Sequence, residues 1–387
     1  MIFDIGSMLH REMSSWRRHL HAHPETAFQE HNTAQFVAET LAGFGIAVHR
    51  GLARTGVVGT LSTGAGPSIG LRADMDALGL EERNDFAHRS TNPGKMHACG
   101  HDGHTAMLLG AARYLAQSRS FRGTVHFIFQ PAEENEAGGQ VMVEQGLFRK
   151  FPVDAVFGLH NWPGLPVGRI AVRAGPIMAA CDLVEITLCG RGCHAAMPHH
   201  GTDVILAASS VVGALHTLVG RVVDPRDSAI VSITQVHAGE TWNVIPDKAV
   251  LRGTVRTFEP SVQDTLETAI GATAEAAARM HRCDSALTYQ RSYPATVNDA
   301  GATLRAAHAA ALAVGEANVE HDPAPSMGSE DFAFMLKERP GCYVWLGNGA
   351  TDGGCVLHNP HYDFNDDALP IGARYWTALV ESLLPRD

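Results

Sequence analysis

The sequence has no basic run longer than two residues, as in Arg17-Arg18, and its 41 acidic side chains outnumber 30 basic ones for a formal net charge of -11. A chain of that sign without a basic patch repels a phosphate backbone, so nucleic acid is not an expected partner. Met1–Arg11 lacks a basic start followed by an apolar stretch, and the longest apolar region, Val204 to Gly220, is broken by Ser209, Ser210 and His216. Neither a signal peptide nor a membrane span is expected. Paired cysteine spacings are missing too: Cys99, Cys181, Cys189, Cys193, Cys283, Cys342 and Cys355 are odd in number and scattered. That suits reduced thiols in the cytoplasm better than a disulfide framework. Internal repeats and low-complexity segments are absent.

What is present begins with size. A length of 387 residues, 45% hydrophobic, can bury at least one large core and suggests two domains. Ser7–His21 and Glu30–Ala42 carry apolar residues at helical spacing, separated by His23-Pro24-Glu25. Short apolar runs bounded by Gly or Pro, at Val57–Leu61, Ser68–Arg72, Thr124–Gln130 and Val153–His160, read as strands. Helical stretches at His104–Gln117 and Gly138–Gly146 lie between them, so strand and helix alternate as in an α/β layer fold with a mixed, mainly parallel sheet.

From Cys181 the pattern changes. Asp182–Cys189, Ala229–His237, Ala249–Phe258 and Ala286–Arg291 alternate as strands do, and Asp203–Arg221 and Ser261–His281 are helical. The order is βαββαβ, a unit that closes its own two-layer core, which marks 182–293 as an inserted domain between 1–181 and 294–387. Ala300–Val314, Cys342–Gly347 and Asp366–Leu384 then complete the first domain.

The chemistry concentrates in a few short segments. Met96-His97-Ala98-Cys99-Gly100-His101-Asp102-Gly103-His104 packs a thiol, three imidazoles and a carboxylate just before a helix. Cys99 and His101, one Gly apart, can turn a thiolate and an imidazole toward one ion of Zn, Mn, Co or Ni type; the alternative is a polar helix cap. Glu133 and Glu134 follow the apolar strand that ends at Gln130, where α/β folds gather ligands. One carboxylate can bind a cation while the other takes a proton from water, or the pair is a solvated acidic turn. His160 also ends a strand, and His358 sits in Leu357-His358-Asn359-Pro360-His361. Each is ambiguous alone, but together these groups are what a two-ion hydrolytic centre requires.

These segments also carry a resemblance. Arg72-Ala73-Asp74-Met75-Asp76-Ala77-Leu78, Cys99-Gly100-His101-Asp102-Gly103-His104, Gln130-Pro131-Ala132-Glu133-Glu134, Asn243-Val244-Ile245-Pro246-Asp247 and Gly328-Ser329-Glu330-Asp331-Phe332 span nearly the whole chain. The sequence resembles the N-acyl-amino-acid amidohydrolases typified by hippurate hydrolase, in the aminoacylase and glutamate-carboxypeptidase superfamily. The resemblance implies a zinc-exopeptidase-like catalytic domain with an inserted ferredoxin-like lid, and a homodimer formed through that lid. It implies two divalent ions held by Cys99, His101, Glu134, His160 and His358, with Glu133 as general base acting on an N-acyl amino acid.

Asp76 would then orient a ligand imidazole, against the alternative of a turn-forming Asp. Asp102 and His104 read as helix-start residues only. His194, in Gly192-Cys193-His194-Ala195, matches a segment whose His meets the reacting carbonyl, often across a dimer interface. Cys193 stands where that family usually has Gly. Asn243 is expected near the same carbonyl, and Arg256 is either the partner of the substrate carboxylate or a strand-surface charge. Three rival readings stay open: a metal-dependent dipeptidase, thiol catalysis by Cys99, and a metal-binding protein without turnover.

Overall fold

The computed structural model describes residues 6–386; residues 1–5, which open the Met1–Arg11 stretch, and residue 387 lie outside the described residues. The chain forms two compact units. The first takes the chain up to Ile177, Val297–Ala324 and the chain from Asp331 onward; the second takes Met178–Thr296 and Pro325–Glu330. The second unit is thus wider than 182–293, and hydrogen bonding explains part of the difference. The N–H of Ala179 donates to the carbonyls of Ser326 and Gly328 at 3.0 and 2.9 Å, which ties that short segment to the head of strand Ala180–Cys189.

An eight-stranded mixed sheet forms the first unit. Its centre is four parallel strands in the order Thr124–Gln130, Ser68–Asp74, Ala155–Pro163 and Gly341–Gly349. Gly56–Ser62 and Ala47–Leu52 add antiparallel strands on one side, and Ile170–Val172 with Val319–His321 close the other. Parallel strands covered on both faces read as largely apolar runs, and Val125 to Phe129, apolar except for His126, is one. Leu71, Phe127, Phe157 and Val344 from these strands share a core with Met13, Val37, Leu108 and Trp376 from helices Ser7–Ala22, His31–Gly43, His101–Ser118 and Leu369–Leu383. Helix His101–Ser118 is buried on nearly every side from His101 to Ala112, so its first turn sits in protein rather than solvent.

The second unit is a four-stranded antiparallel sheet in the order Ala229–Ala238, Lys248–Thr257, Ala180–Cys189 and Asp284–Tyr293, the ferredoxin-like arrangement. Val204–Val222 and Pro260–Met280 cover it through Val211, Leu215, Leu266 and Ile270. Helix Val204–Val222 is long and apolar enough to cross a membrane by length and composition, but it lays a stripe of Val204, Ala207, Val211 and Leu215 into this core. Beyond the sheet, Cys193–His194 pairs with Val244–Ile245 in a short ribbon.

Several elements escape a sequence reading. Ile170–Val172 and Val319–His321 have three residues each, too few to show a period, and Ala47–Leu52 is interrupted by a register shift between Arg50 and Leu52.

His21 ties the first helix both to the first turn of His101–Ser118 and to the loop that precedes it. His21 Nδ1 lies 2.9 Å from Asp102 Oδ2 and its Nε2 lies 3.2 Å from Glu82 Oε1. Burial opposes a charge on His21, but hydrogen bonds and attraction from Asp102 and Glu82 outweigh it and lift its pKa from 6.5 to about 9. A pKa raised on folding gives stability that is complete below the unfolded value and lost as pH rises through the folded one. We therefore expect up to about 3 kcal/mol of stability to fade between neutral pH and pH ~9.5. Thermal melts across that range should show the fall in the wild type and a much flatter profile in His21→Gln.

Candidate metal centre

The chain leaves two adjacent parallel strands with carboxylates in hand. Asp74 ends and Asp76 follows Ser68–Asp74, Glu133 and Glu134 follow Thr124–Gln130, and the N–H of Met75 donates to the carbonyl of Gln130 at 2.9 Å to keep the two exits together. This is the carboxyl edge of the sheet, where α/β folds collect ligands. His160 comes from the neighbouring strand Ala155–Pro163, and Cys99 and His101 come from the start of helix His101–Ser118.

Ligand-type atoms of Cys99, Glu134 and His358 lie within 4.8 Å of one another, and so do those of His101, Glu133 and Glu134. Glu134 belongs to both sets, so two three-residue corners share one carboxylate. His160 Nε2, 3.4 Å from Cys99 Sγ, joins the first corner. Glu134 Oε1 stands 3.1 Å from His358 Nε2.

The orientation of each imidazole fits a cation. Asp76 Oδ1 lies 3.2 Å from His101 Nδ1, and Asp76 Oδ2 accepts the N–H of Glu134 at 3.0 Å, so one carboxylate sets two of the residues at the centre. With the ring proton on Nδ1, His101 Nε2 is a buried lone pair without a hydrogen-bond partner. His160 repeats the device: its Nδ1 is 2.6 Å from the carbonyl of Asn161, leaving Nε2 as the acceptor that faces the centre. Metal-binding histidines are held in this way by their second nitrogen.

The electrostatics require positive charge. Burial, then Glu134, Glu133 and Asp74, pushes the Cys99 thiol well above its ordinary value. A nucleophilic thiolate needs the opposite surroundings, so these argue against thiol catalysis, whereas a bound cation would draw the proton off. Burial disfavours a charged His101, yet Asp74 and Asp76 overcome it and lift its pKa to about 10: without a metal, a proton supplies the missing charge. The solvated-turn alternative for Glu133 and Glu134 also fails, since Glu133 is buried and the Glu134 side chain is only 11% exposed.

Asp102 and His104 correct the sequence reading. Asp102 does lie in the first turn of helix His101–Ser118, but it is fully buried against His21. His104 spans two elements: Nδ1 meets Asp74 Oδ1 at 2.5 Å, and Nε2 accepts the N–H of Asn161 at 2.9 Å. Both residues fasten the loop rather than merely start the helix. Gly100 has φ +85°, and a Cβ there would lie 2.3 Å from Asn161 Nδ2 and 2.4 Å from Tyr362 Oη, so only glycine fits between Cys99 and His101. Asn161 Nδ2 donates to the Cys99 carbonyl at 2.7 Å, and Tyr362 Oη donates to Asn161 Oδ1 at 2.8 Å. Asn161 and Tyr362 were legible only as neighbours of His160 and His358. His358 itself takes φ +62°, held there by its N–H on the carbonyl of Ala98 at 2.8 Å.

His194, Asn243 and Arg256 lie in the second unit. The ribbon pairs His194 with Val244, and the N–H of Ala195 donates to the carbonyl of Asn243 at 2.9 Å, so His194 and Asn243 are brought together. Arg256 is not with them. It pairs with Cys181, eight residues along its strand from Lys248, which pairs with Cys189 at the end nearest the ribbon. At ~3.3 Å per residue that is about 26 Å. The strand-surface charge pair is not seen, since Arg256 has no carboxylate partner among the described residues and its Nη1 donates to the Val255 carbonyl at 3.3 Å.

If Asp76 sets both His101 and Glu134, Asp76→Ala should weaken metal binding by about 10- to 100-fold while the protein stays folded. Calorimetric titration of metal-free protein with Zn or Mn checks it, and unchanged affinity would remove Asp76 from the centre.

Known proteins support the same reading. Residues 70–382 match the model of peptidase family M20/M25/M40. The chain is 40% identical to the N-acetyl-L-cysteine deacetylase of Bacillus subtilis (strain 168), covering 96% of this chain and 87% of that one. It is also 40% identical to the hippurate hydrolase of Campylobacter jejuni, over 96% of each chain. A crystal structure of a dinuclear metal-binding peptidase of family M20 from Bacillus subtilis superposes with a TM-score of 0.84 at 35% identity, covering 98% and 99% of the two chains. A zinc-exopeptidase-like sheet with an inserted ferredoxin-like unit, two corners of ligands sharing Glu134, and this similarity along nearly the whole length agree: the chain belongs to peptidase family M20/M25/M40.

Proposed function

We propose that the protein hydrolyses the amide bond of N-acyl amino acids, of N-acetyl or N-benzoyl type, to a carboxylate and a free amino acid. The observation that carries this reading is the pair of three-residue corners that share Glu134, one of them including Glu133, backed by relatives named as a deacetylase of N-acetyl-L-cysteine and a hippurate hydrolase. Cys99, His101, Glu134, His160 and His358 would hold two divalent ions, of Mn, Zn, Co or Ni. Bound metal supplies Lewis-acid polarisation of the carbonyl and a water acidic enough to be deprotonated near neutral pH.

The protein's own residues do the rest. Glu133 takes the proton from the attacking water and returns it to the leaving nitrogen, so no net proton is consumed at the carboxylate. His194 and the Asn243 amide stabilise the negative charge that develops on the carbonyl oxygen. Arg256, without a carboxylate of its own, pairs with the carboxylate of the amino-acid half.

The separation of Arg256 from the ribbon supports a dimer. A substrate the size of an N-acyl amino acid is far shorter than the distance between them. Both can serve one substrate only if Arg256 comes from one protomer and His194 with Asn243 from its partner. The edge strand Ala229–Ala238, with Ile230 and Val236 exposed, is a surface such a pair would cover. A dipeptidase reading shares the metal centre and differs only in the acyl pocket. The seven free cysteines support a reducing, cytoplasmic setting.

Hydrolysis of a panel of N-acetyl and N-benzoyl amino acids, with dipeptides alongside, should vanish on chelation and return with metal. Glu133→Gln should keep its metal and lose about 10²- to 10⁴-fold in kcat. Near-normal turnover would dismiss Glu133 as the base. Mixing Glu133→Gln with His194→Ala protein, each inactive alone, should restore about a quarter of wild-type activity as hybrid dimers form, because a two-fold assembly then completes one site in half of the dimers. No recovery from subunits shown to exchange would mean that each site is built from one chain.

A further inference from the structure

Glu30 is fully buried in the first unit and lies outside every segment that carries the metal centre. Its carboxylate gathers three donors. Oε1 accepts the N–H of Phe28 at 3.0 Å and the N–H of Ala132 at 2.9 Å, and Oε2 accepts the hydroxyl of Thr55 at 2.7 Å.

Two of the donors are N–H groups of left-handed residues, and the third is the side chain of a residue that directly follows two left-handed ones. Phe28 has φ +59°, Ala132 has φ +56°, and Thr55 follows Ala53 and Arg54 at +47° and +68°. None of these is glycine, and left-handed residues with a Cβ persist only where surroundings over-determine them. A single buried acceptor facing three such segments is that determinant.

Ala132 is the residue that matters for chemistry, because the direction in which Glu133 leaves the turn follows from its backbone. Downstream the turn is held by the N–H of Gly138 on the Ala132 carbonyl at 2.9 Å, and a Cβ at Gly138 would fall 1.8 Å from the Pro131 carbonyl oxygen. Upstream the hold is Glu30. The neighbouring Glu25 fixes the same segment, with its carboxylate on the N–H groups of Asn32 and Thr33 and its carbonyl on the N–H of Ala77, next to Asp76.

We infer that Glu30 is a positioning residue for the general base: its carboxylate fixes the left-handed turn at Ala132 and so aims Glu133 at the water it deprotonates. The inference rests on the hydrolytic reading of Glu133, and misplacing a catalytic group by about 1 Å costs on the order of 10²-fold in rate. Glu30 touches neither substrate nor ligand, so removing it should lower kcat and leave KM and metal content nearly unchanged.

The test compares Glu30→Ala, Glu30→Gln and Thr55→Val in metal-loaded protein by kinetics, metal analysis and hydrogen exchange of the 130–137 peptide. Glu30→Ala should lower kcat by about 100-fold, keep KM within about threefold and speed exchange of that peptide. Gln keeps an oxygen for Ala132 and can donate to the Thr55 hydroxyl, so Glu30→Gln should recover most of the loss. If Glu30→Ala does not fold, Thr55→Val carries the test, with an expected smaller fall in kcat and faster exchange of the same peptide. Unchanged kcat and exchange in a folded variant, or a fall in kcat matched by lost metal, would overturn the inference. If the wild type hydrolyses no N-acyl amino acid, the hydrolytic reading fails by itself, and exchange in the 130–137 peptide still decides whether Glu30 holds the turn.

Discussion

Four carboxylates, those of Asp74, Asp76, Glu133 and Glu134, are crowded at the ends of two neighbouring parallel strands, and the surrounding structure answers that charge. Arg72, fully buried, meets Asp74 at 2.7 Å and Asp331 at 3.0 Å, while Gln130 bridges Arg72 and Asp331. His104 caps the other oxygen of Asp74. Those pairs neutralise one side of the cluster. The side facing Cys99, His101 and His160 lacks such a partner among the described residues, in keeping with the upward push of its carboxylates on the Cys99 thiol and the His101 imidazole.

From this follows a division of labour between strand ends and the loops that reach them. The sheet is rigid because it is buried on both faces, so it fixes Asp74 at a strand end and the points from which the segments bearing Asp76, Glu133 and Glu134 leave. The candidate ligands and the candidate base arrive on turns that are strained or glycine-dependent: Gly100 between Cys99 and His101, His358 at φ +62°, and Ala132 before Glu133. Each strained point is held by a specific hydrogen bond, from the Asn161 side chain to the Cys99 carbonyl, from His358 N–H to Ala98, or from Ala132 N–H to Glu30. Strain concentrated where ligands converge is the pattern of a preorganised site, in which geometry is set before the substrate binds.

The second unit shows a different economy. Its sheet and helices are ordinary ferredoxin-like packing, and its candidate site residues are His194 and Asn243 at a short ribbon and Arg256 on a strand. Eight residues of regular strand, about 26 Å, separate Arg256 from Lys248 at the end of the sheet nearest the ribbon.

The long elements were legible in the sequence, and so were the residues that supply candidate ligand atoms. Thr124–Gln130 and Ala300–Val314 are bounded by residues with strong local preferences, and the Cys99–His104 and Glu133-Glu134 segments combine residue types that no core requires. The strands of two or three residues were not legible, because hydrophobic periodicity needs more positions than they have. Nor were the roles of His104, Asp102 and Glu30. Each pairs with a residue far away in the chain: His104 with Asp74 and Asn161, Asp102 with His21, Glu30 with Thr55 and Ala132. Sequence alone determined which atoms are available for metal and proton chemistry, since that is a property of residue type. Which carboxylate is shared between the two corners, and which buried groups hold each ligand in place, was decided by tertiary structure, because hydrogen bonds and buried charge depend on distances that the order of residues does not contain.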